Sequence, residues 1–215
     1  MNTVLHPSAI VSPKARLAEN VRIGPFVVIE DDVEIGPGTE IMASAYIANG
    51  ARIGSECRIF PGAVIAMEPQ DLKYANEPTT AVIGDRTTVR EYATVHRGTT
   101  ATGTTIVGSD NLLMAYTHVA HDCRVGNHII ISNVTHLAGH VEIGDWVTLG
   151  GMVKIHQFCR IGAYSMIGAG TKIVKDVPLY VLLDGNPARI PGVNKIGLQR
   201  RGFSAEQIRD IIEFY

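Results

Sequence analysis

Six of the chain's eight histidines fall between positions 118 and 156, and five of them, His118, His121, His136, His140 and His156, form a cluster within little more than two coils of chain. Clustered imidazoles serve two chemistries. Neutral imidazole is a common zinc ligand. With an ordinary pKa near 6.5, imidazole also takes a proton from a hydroxyl, which is worth about 10²- to 10⁴-fold in rate. At an interval of 18 the polar residues line up in columns. His121, Gly139, Gln157 and Lys175 form one, and His118, His136, Lys154 and Lys172 a second. Asp122, His140, Phe158 and Asp176 form a third beside the first. The company favours base chemistry over metal binding: Gly139 offers a backbone N–H that can approach an oxyanion, and Gln157 can hold a polar ligand. Asp122 orients His121 only if the chain turns a corner there, because neighbours along a strand point apart.

The interval of 18 comes from a six-residue beat. From Leu5 to Ile173, 26 of 29 slots spaced by six hold Leu, Ile or Val, and only Asp71, Glu77 and Ala101 break the rule. A helix of 3.6 residues per turn would walk such a stripe around its surface. Short strands that turn a corner every six residues keep it on one inner wall, the hexapeptide signature of a parallel β-helix. A second inward register lies four residues on and is small or β-branched, as in Val21, Thr39, Ala45, Thr117, Thr135 and Thr171. Three faces make a triangular coil of 18 residues, with coils roughly 4.8 Å apart. None of the eight histidines occupies either inward register, so no buried core histidine is expected. Cys57, Cys123 and Cys159 all occupy the small one and read as core filler rather than as a site.

Composition narrows the function classes. A net charge of −2 argues against a general nucleic-acid binder. Neither a signal peptide nor an apolar run approaching the roughly 20 residues of a membrane span is visible, so the chain reads as cytoplasmic. Charge is uneven, however. Between Lys154 and Arg201 eight basic residues (Lys154, Arg160, Lys172, Lys175, Arg189, Lys195, Arg200, Arg201) face only Asp176 and Asp184, an end suited to phosphates or an acidic protein. Two stretches leave the beat, Ala66 to Ala81 and Gly98 to Thr105. Both keep the frame on either side and read as loops bulging from a corner. The repeat itself fades at Asp176-Val177-Pro178. Residues 1–184 read as the repeat domain, and 185–215 as a Gly/Pro-rich connector and the start of a helical region. There Ser204 and Gln207 form a capping box, and Ile208, Ile211 and Ile212 an apolar face.

Several segments carry a resemblance: Asn111-Leu-Leu-Met-Ala-Tyr-Thr-His-Val-Ala-His-Asp-Cys123, Leu137-Ala-Gly-His140, Gly150 through Cys159, Arg200-Arg-Gly-Phe203, the Gln70 to Tyr74 loop and Ile83-Gly-Asp-Arg86. Together they resemble the UDP-N-acetylglucosamine O-acyltransferase family, which performs the first step of lipid A synthesis. The resemblance implies a left-handed parallel β-helix, assembled as a homotrimer with sites between neighbouring prisms and followed by a helical domain. It implies His121 as general base, Asp122 orienting it, and the Gly139 N–H stabilising the oxyanion. Gln70, Asp71 and Lys73 would bind the sugar and phosphate side, with His118, His140, His156 and Gln157 around the sugar and acyl chain. Asn194, Arg200 and Arg201 would hold the nucleotide, and Met166 and Ala169 would line the base of an acyl groove. The donor would be a 3-hydroxyacyl group on acyl carrier protein, with no cofactor and no metal. Two features depart from the family pattern: Ile196 stands where a glutamate is usual two positions beyond Asn194, and the helical domain is shorter. The scaffold alone would also suit a trimeric zinc enzyme like γ-class carbonic anhydrase, an acetyl-CoA-dependent sugar acetyltransferase, or a non-catalytic scaffold.

Overall fold

The computed structural model describes residues 3–215. It is a left-handed parallel β-helix built from two- to four-residue strands that close three sheets around a triangular interior. The first face runs from Val4–Leu5 to Met166–Ile167 and Val181–Asp184, the second from Ile10–Val11 to Lys172–Ile173, and the third from Arg16–Leu17 to Arg160–Ile161. Register follows the beat: His118 pairs with His136 and Val119 with Leu137, one coil of 18 residues apart. From Ile23 to Ile173 the aliphatic slot points inward outside the two loops, with Ile41, Ile59, Ile131 and Leu149 wholly buried. Burying each contributes about 1.5–3 kcal/mol. The three cysteines are free and buried among them.

At the corners the second turn residue is left-handed, with φ of 60° at Asp122, 62° at His140 and 65° at Phe158. L-residues resist that region. The corner N–H groups offset the strain by bonding the carbonyl one coil away, His140 N to His121 O at 3.1 Å and Phe158 N to Gly139 O at 3.2 Å. Side chains in this position project outward and stack, as His128 on Trp146 (3.9 Å between ring centres) and Tyr92 on Tyr116 (5.3 Å).

Both departures from the beat lie on the edge between the second and third faces. Ile53 pairs with Ile83 and Ile65 with Val95, 30 residues apart in place of 18, so the first loop adds twelve. Ile83 pairs with Val107, 24 apart, so the second adds six.

The C-terminal end differs from the sequence expectation. The repeat does not stop at 176–178: Val177 bridges Ile161, and Val181–Asp184 adds one more rung with Leu183 opposite Ile167. That offset is 16, two short of a coil. Asp176 therefore leaves the Phe158 column and accepts a hydrogen bond from Arg160 N at 2.8 Å. The connector is ordered too, as Arg189–Val193 returns antiparallel on Val181–Asp184. A first helix, α1 (Lys195–Arg200), is N-capped by Asn194, and a second, α2 (Ala205–Phe214), opens with the expected Ser204–Gln207 capping box. Of the three isoleucines on α2 only Ile208 is fully buried, and Ile212 stays 38% exposed. No helix among the described residues is long and apolar enough to cross a membrane.

Candidate active site

The edge between the second and third faces carries the histidine cluster. His118 opens the second-face strand His118–Val119, and the chain then turns at His121 and Asp122 before the third-face strand Arg124–Val125. This is the corner that orientation requires. It swings the two adjacent side chains together, and His121 Nδ1 lies 2.8 Å from Asp122 Oδ2. An ionised carboxylate only accepts, so Nδ1 carries the proton and Nε2 keeps its lone pair. One coil on, Gly139 leaves that lone pair open: a Cβ there would lie 2.5 Å from His121 Cε1 and 2.7 Å from Nε2. Gly139 N–H has no hydrogen-bond partner among the described residues. His140 meets the His121 ring edge-on at 5.2 Å, and Phe158 stacks flat on His140 at 4.5 Å.

The Asp122 side chain is fully enclosed. Burial pushes its carboxyl upward, yet the donors around it, Thr102, His121 and Thr99, overcome that and hold it at about 2. Thr99 donates from its backbone N–H (3.0 Å) and hydroxyl (2.8 Å), and the Thr102 hydroxyl lies at 2.5 Å. Sequence reasoning missed both threonines; the signal was the Gly98–Thr105 segment, five of whose eight residues are threonine. Among the described residues, one set of three possible metal ligands has donor atoms within 4.8 Å of one another: His121, Asp122 and His140. With two donors on each Asp122 oxygen, no carboxylate lone pair remains for a cation.

His118 bonds Thr94 Oγ1 through Nδ1 at 2.7 Å. Burial, reinforced by His96, His136 and His121, lowers its pKa to about 4. His96 is buried although it occupies neither inward register. It is 5% exposed, with no partner for Nδ1, and burial lowers its pKa. It lies outside the prism interior, edge-on to His118 at 4.8 Å, where a periodicity of inward slots cannot register it.

The other predicted residues divide. His156 and Gln157 are exposed one coil below Gly139, with Gln157 O 3.1 Å from His156 Nδ1. Gln70, Asp71 and Lys73 sit on the twelve-residue loop of the same edge, where Asp71 closes its own turn by accepting from Lys73 N at 3.0 Å. Arg97 pins that loop through Tyr74 Oη, and Leu72 at its tip is wholly exposed. Asn194, Arg200 and Arg201 line a groove of about 670 Å³ along the first face, with Trp146, Tyr164, Met166 and Ile196. Arg201 stacks over Trp146 at 4.4 Å, and Asn194 Nδ2 donates to Tyr164 O at 2.9 Å. Within one chain this groove is on a different face from His121. Met166 lies in it, and Ala169 is exposed at the next corner.

Comparison with known proteins fixes the family. The family profile described as Udp N-acetylglucosamine O-acyltransferase, Domain 2, matches residues 176–215, and that of the bacterial transferase hexapeptide (six repeats) matches 32–66. The acyl-[acyl-carrier-protein]–UDP-N-acetylglucosamine O-acyltransferase of Cupriavidus metallidurans is 60% identical over 99% of this chain and 82% of its own length. The chain belongs to this O-acyltransferase family. Its relative of the same description in Halorhodospira halophila is 51% identical over 99% of this chain and 83% of its own. Among solved family structures, the UDP-N-acetylglucosamine acyltransferase of Bacteroides fragilis superposes with a TM-score of 0.97 at 48% identity, covering 98% of this chain and 82% of that one. The enzyme from Francisella novicida gives 0.96 at 40% identity, covering 98% and 78%. The chain is therefore an enzyme of the O-acyltransferase family, with a hexapeptide-repeat scaffold.

Proposed function

We propose that this O-acyltransferase moves a 3-hydroxyacyl group from acyl carrier protein to the glucosamine 3-hydroxyl of UDP-N-acetylglucosamine, the first step of lipid A synthesis, as a cytoplasmic homotrimer. The names of its relatives supply donor and acceptor. One observation carries the mechanism: Asp122 holds His121 Nδ1 at 2.8 Å, leaving Nε2 open above a glycine. His121 Nε2 takes the proton of the sugar hydroxyl as its oxygen attacks the thioester carbonyl. The tetrahedral oxyanion accepts from the free Gly139 N–H. Collapse breaks the carbon–sulfur bond, and the imidazolium returns its proton to the departing carrier thiolate. The saturated Asp122 carboxylate favours this role for the cluster over metal ligation.

His118, His140, His156 and Gln157 then surround the sugar and acyl chain, and Gln70, Asp71 and Lys73 contact the sugar and phosphate side. Asn194, Arg200 and Arg201 receive the nucleotide, since planar guanidinium matches phosphate oxygens in pairs. Assembly as a trimer would bring the first-face groove of one copy against the histidine edge of the next, and the wholly exposed Leu72 tip suits such a contact. Incubation with UDP-N-acetylglucosamine and hydroxyacyl carrier proteins, with products identified by mass, tests the reading. His121→Ala should cut turnover by about 10²- to 10⁴-fold with an unchanged melting temperature. Retained turnover would remove His121 from its role, and stoichiometric zinc in active protein would revive the metalloenzyme.

A further inference from the structure

The six-residue insertion of the second loop lies directly above the His121 corner. Gly103 N donates to Thr99 O at 2.7 Å, closing a single helical turn. Positions three apart on such a turn share a side, and this turns the Thr99 and Thr102 hydroxyls toward the same carboxylate. Thr105, three further on, is back inside the prism, where its hydroxyl accepts from Asp122 N at 2.8 Å. Three threonines at intervals of three thus hold one aspartate, Thr99 and Thr102 at the carboxylate and Thr105 at the backbone. Without the insertion, this corner would match the plain corners below it and have no such turn over the carboxylate.

We infer that Thr99 and Thr102 are positioning residues of the acyl transfer, acting through Asp122 to fix the tautomer and aim of His121. Geometry carries the inference. Thr99 gives one donor to each carboxylate oxygen and Thr102 a second to Oδ1, so the remaining acceptor direction of Oδ2 points at His121 Nδ1. Rotation of the carboxylate would break three hydrogen bonds at once. A carboxylate held by fewer donors could swing, and the imidazole would lose the partner that keeps its proton on Nδ1. The insertion is therefore part of the catalytic apparatus without touching substrate.

This rests on His121 as base, and the test separates the two ideas. Thr102 is exposed, and because its hydroxyl also lies 2.8 Å from Thr104 O, Thr102→Val is read beside the melting temperature. The expected result is a fall in kcat on the order of 10-fold to 10²-fold, with KM for UDP-N-acetylglucosamine and melting temperature unchanged, and recovery in Thr102→Ser. Thr99→Val should act in the same direction, and the double variant should approach His121→Ala. Nitrogen-15 spectra of the imidazoles provide a readout independent of turnover. The His121 ring should change from a single Nδ1–H tautomer to a mixture in Thr102→Val. Wild-type kcat with an unaltered tautomer in Thr102→Val would overturn the inference while leaving His121 in place. A loss of turnover that tracks melting temperature and is not restored by serine would also overturn it. If the wild type transfers no acyl group, the proposed activity falls, and the spectra still decide the clamp.

Discussion

The His121 ring, the proposed base, is shaped by what is missing beside it as much as by what binds it. Gly139 has ordinary backbone angles, so alanine is admissible there in principle, but its Cβ would press into His121 Cε1 and Nε2. Gly139→Ala should therefore fold normally and lose on the order of 10²-fold in kcat, a combination that steady-state kinetics beside a thermal melt would reveal. Acidification should act on stability first through the buried histidines, His96, whose pKa burial also lowers, and His118. The His118 pKa is about 4 in the fold against 6.5 for the free side chain, so between those values the unfolded chain binds the proton and the folded chain does not. Through His118 stability falls as pH drops from about 6.5 to about 4, by at most about 3 kcal/mol. Asp122, at about 2 against 3.8, extends the loss below that window, because its contribution disappears as pH falls through its folded value. Replacing His118 by asparagine should flatten the pH dependence of denaturant midpoints in the upper window. An unaltered slope would show that other groups set it.

At the level of the strand and corner, each rung depends on the two that flank it. Ile131 sits between Leu113 and Leu149 with no exposure. Ile131→Ala should cost about 2–5 kcal/mol, measurable as a lower urea midpoint, because two rigid neighbours cannot collapse into the space. The beat made nearly all of this legible. Inward aliphatics and buried cysteines follow from period and phase, the capping box follows from Ser204 and Gln207 at their spacing of three, and the corner at His121–Asp122 stood in the sequence only as a condition for their pairing. What escaped lies where phase slips or does not apply. The two-residue shortening before Val181 hid the last rung and displaced Asp176. The returning strand Arg189–Val193 contains Pro191 and Gly192, which argue locally against a strand. Thr99, Thr102 and His96 belong to loop bases, where contacts depend on the path of an insertion rather than on spacing. The division of the site between the histidine edge and the Arg200–Arg201 groove was also invisible, because columns report stacking along one edge and not the angle between faces.

The whole molecule is a pillar whose chemistry is confined to edges and whose loops leave its interior untouched. Twelve and six residues enter at the same edge, and the aliphatic slot resumes in phase after each. A stretch of six, or a multiple, can be spliced in at a corner and only lengthens the outline there. A residue added within a strand would turn the rest of that rung inside out, whereas a corner absorbs other lengths, as the coil two residues short before Val177 does with Val181 and Leu183 still buried. New functions on such a scaffold therefore enter at corners, and the six-residue threonine turn over Asp122 adds its groups while the rung beneath it keeps its register.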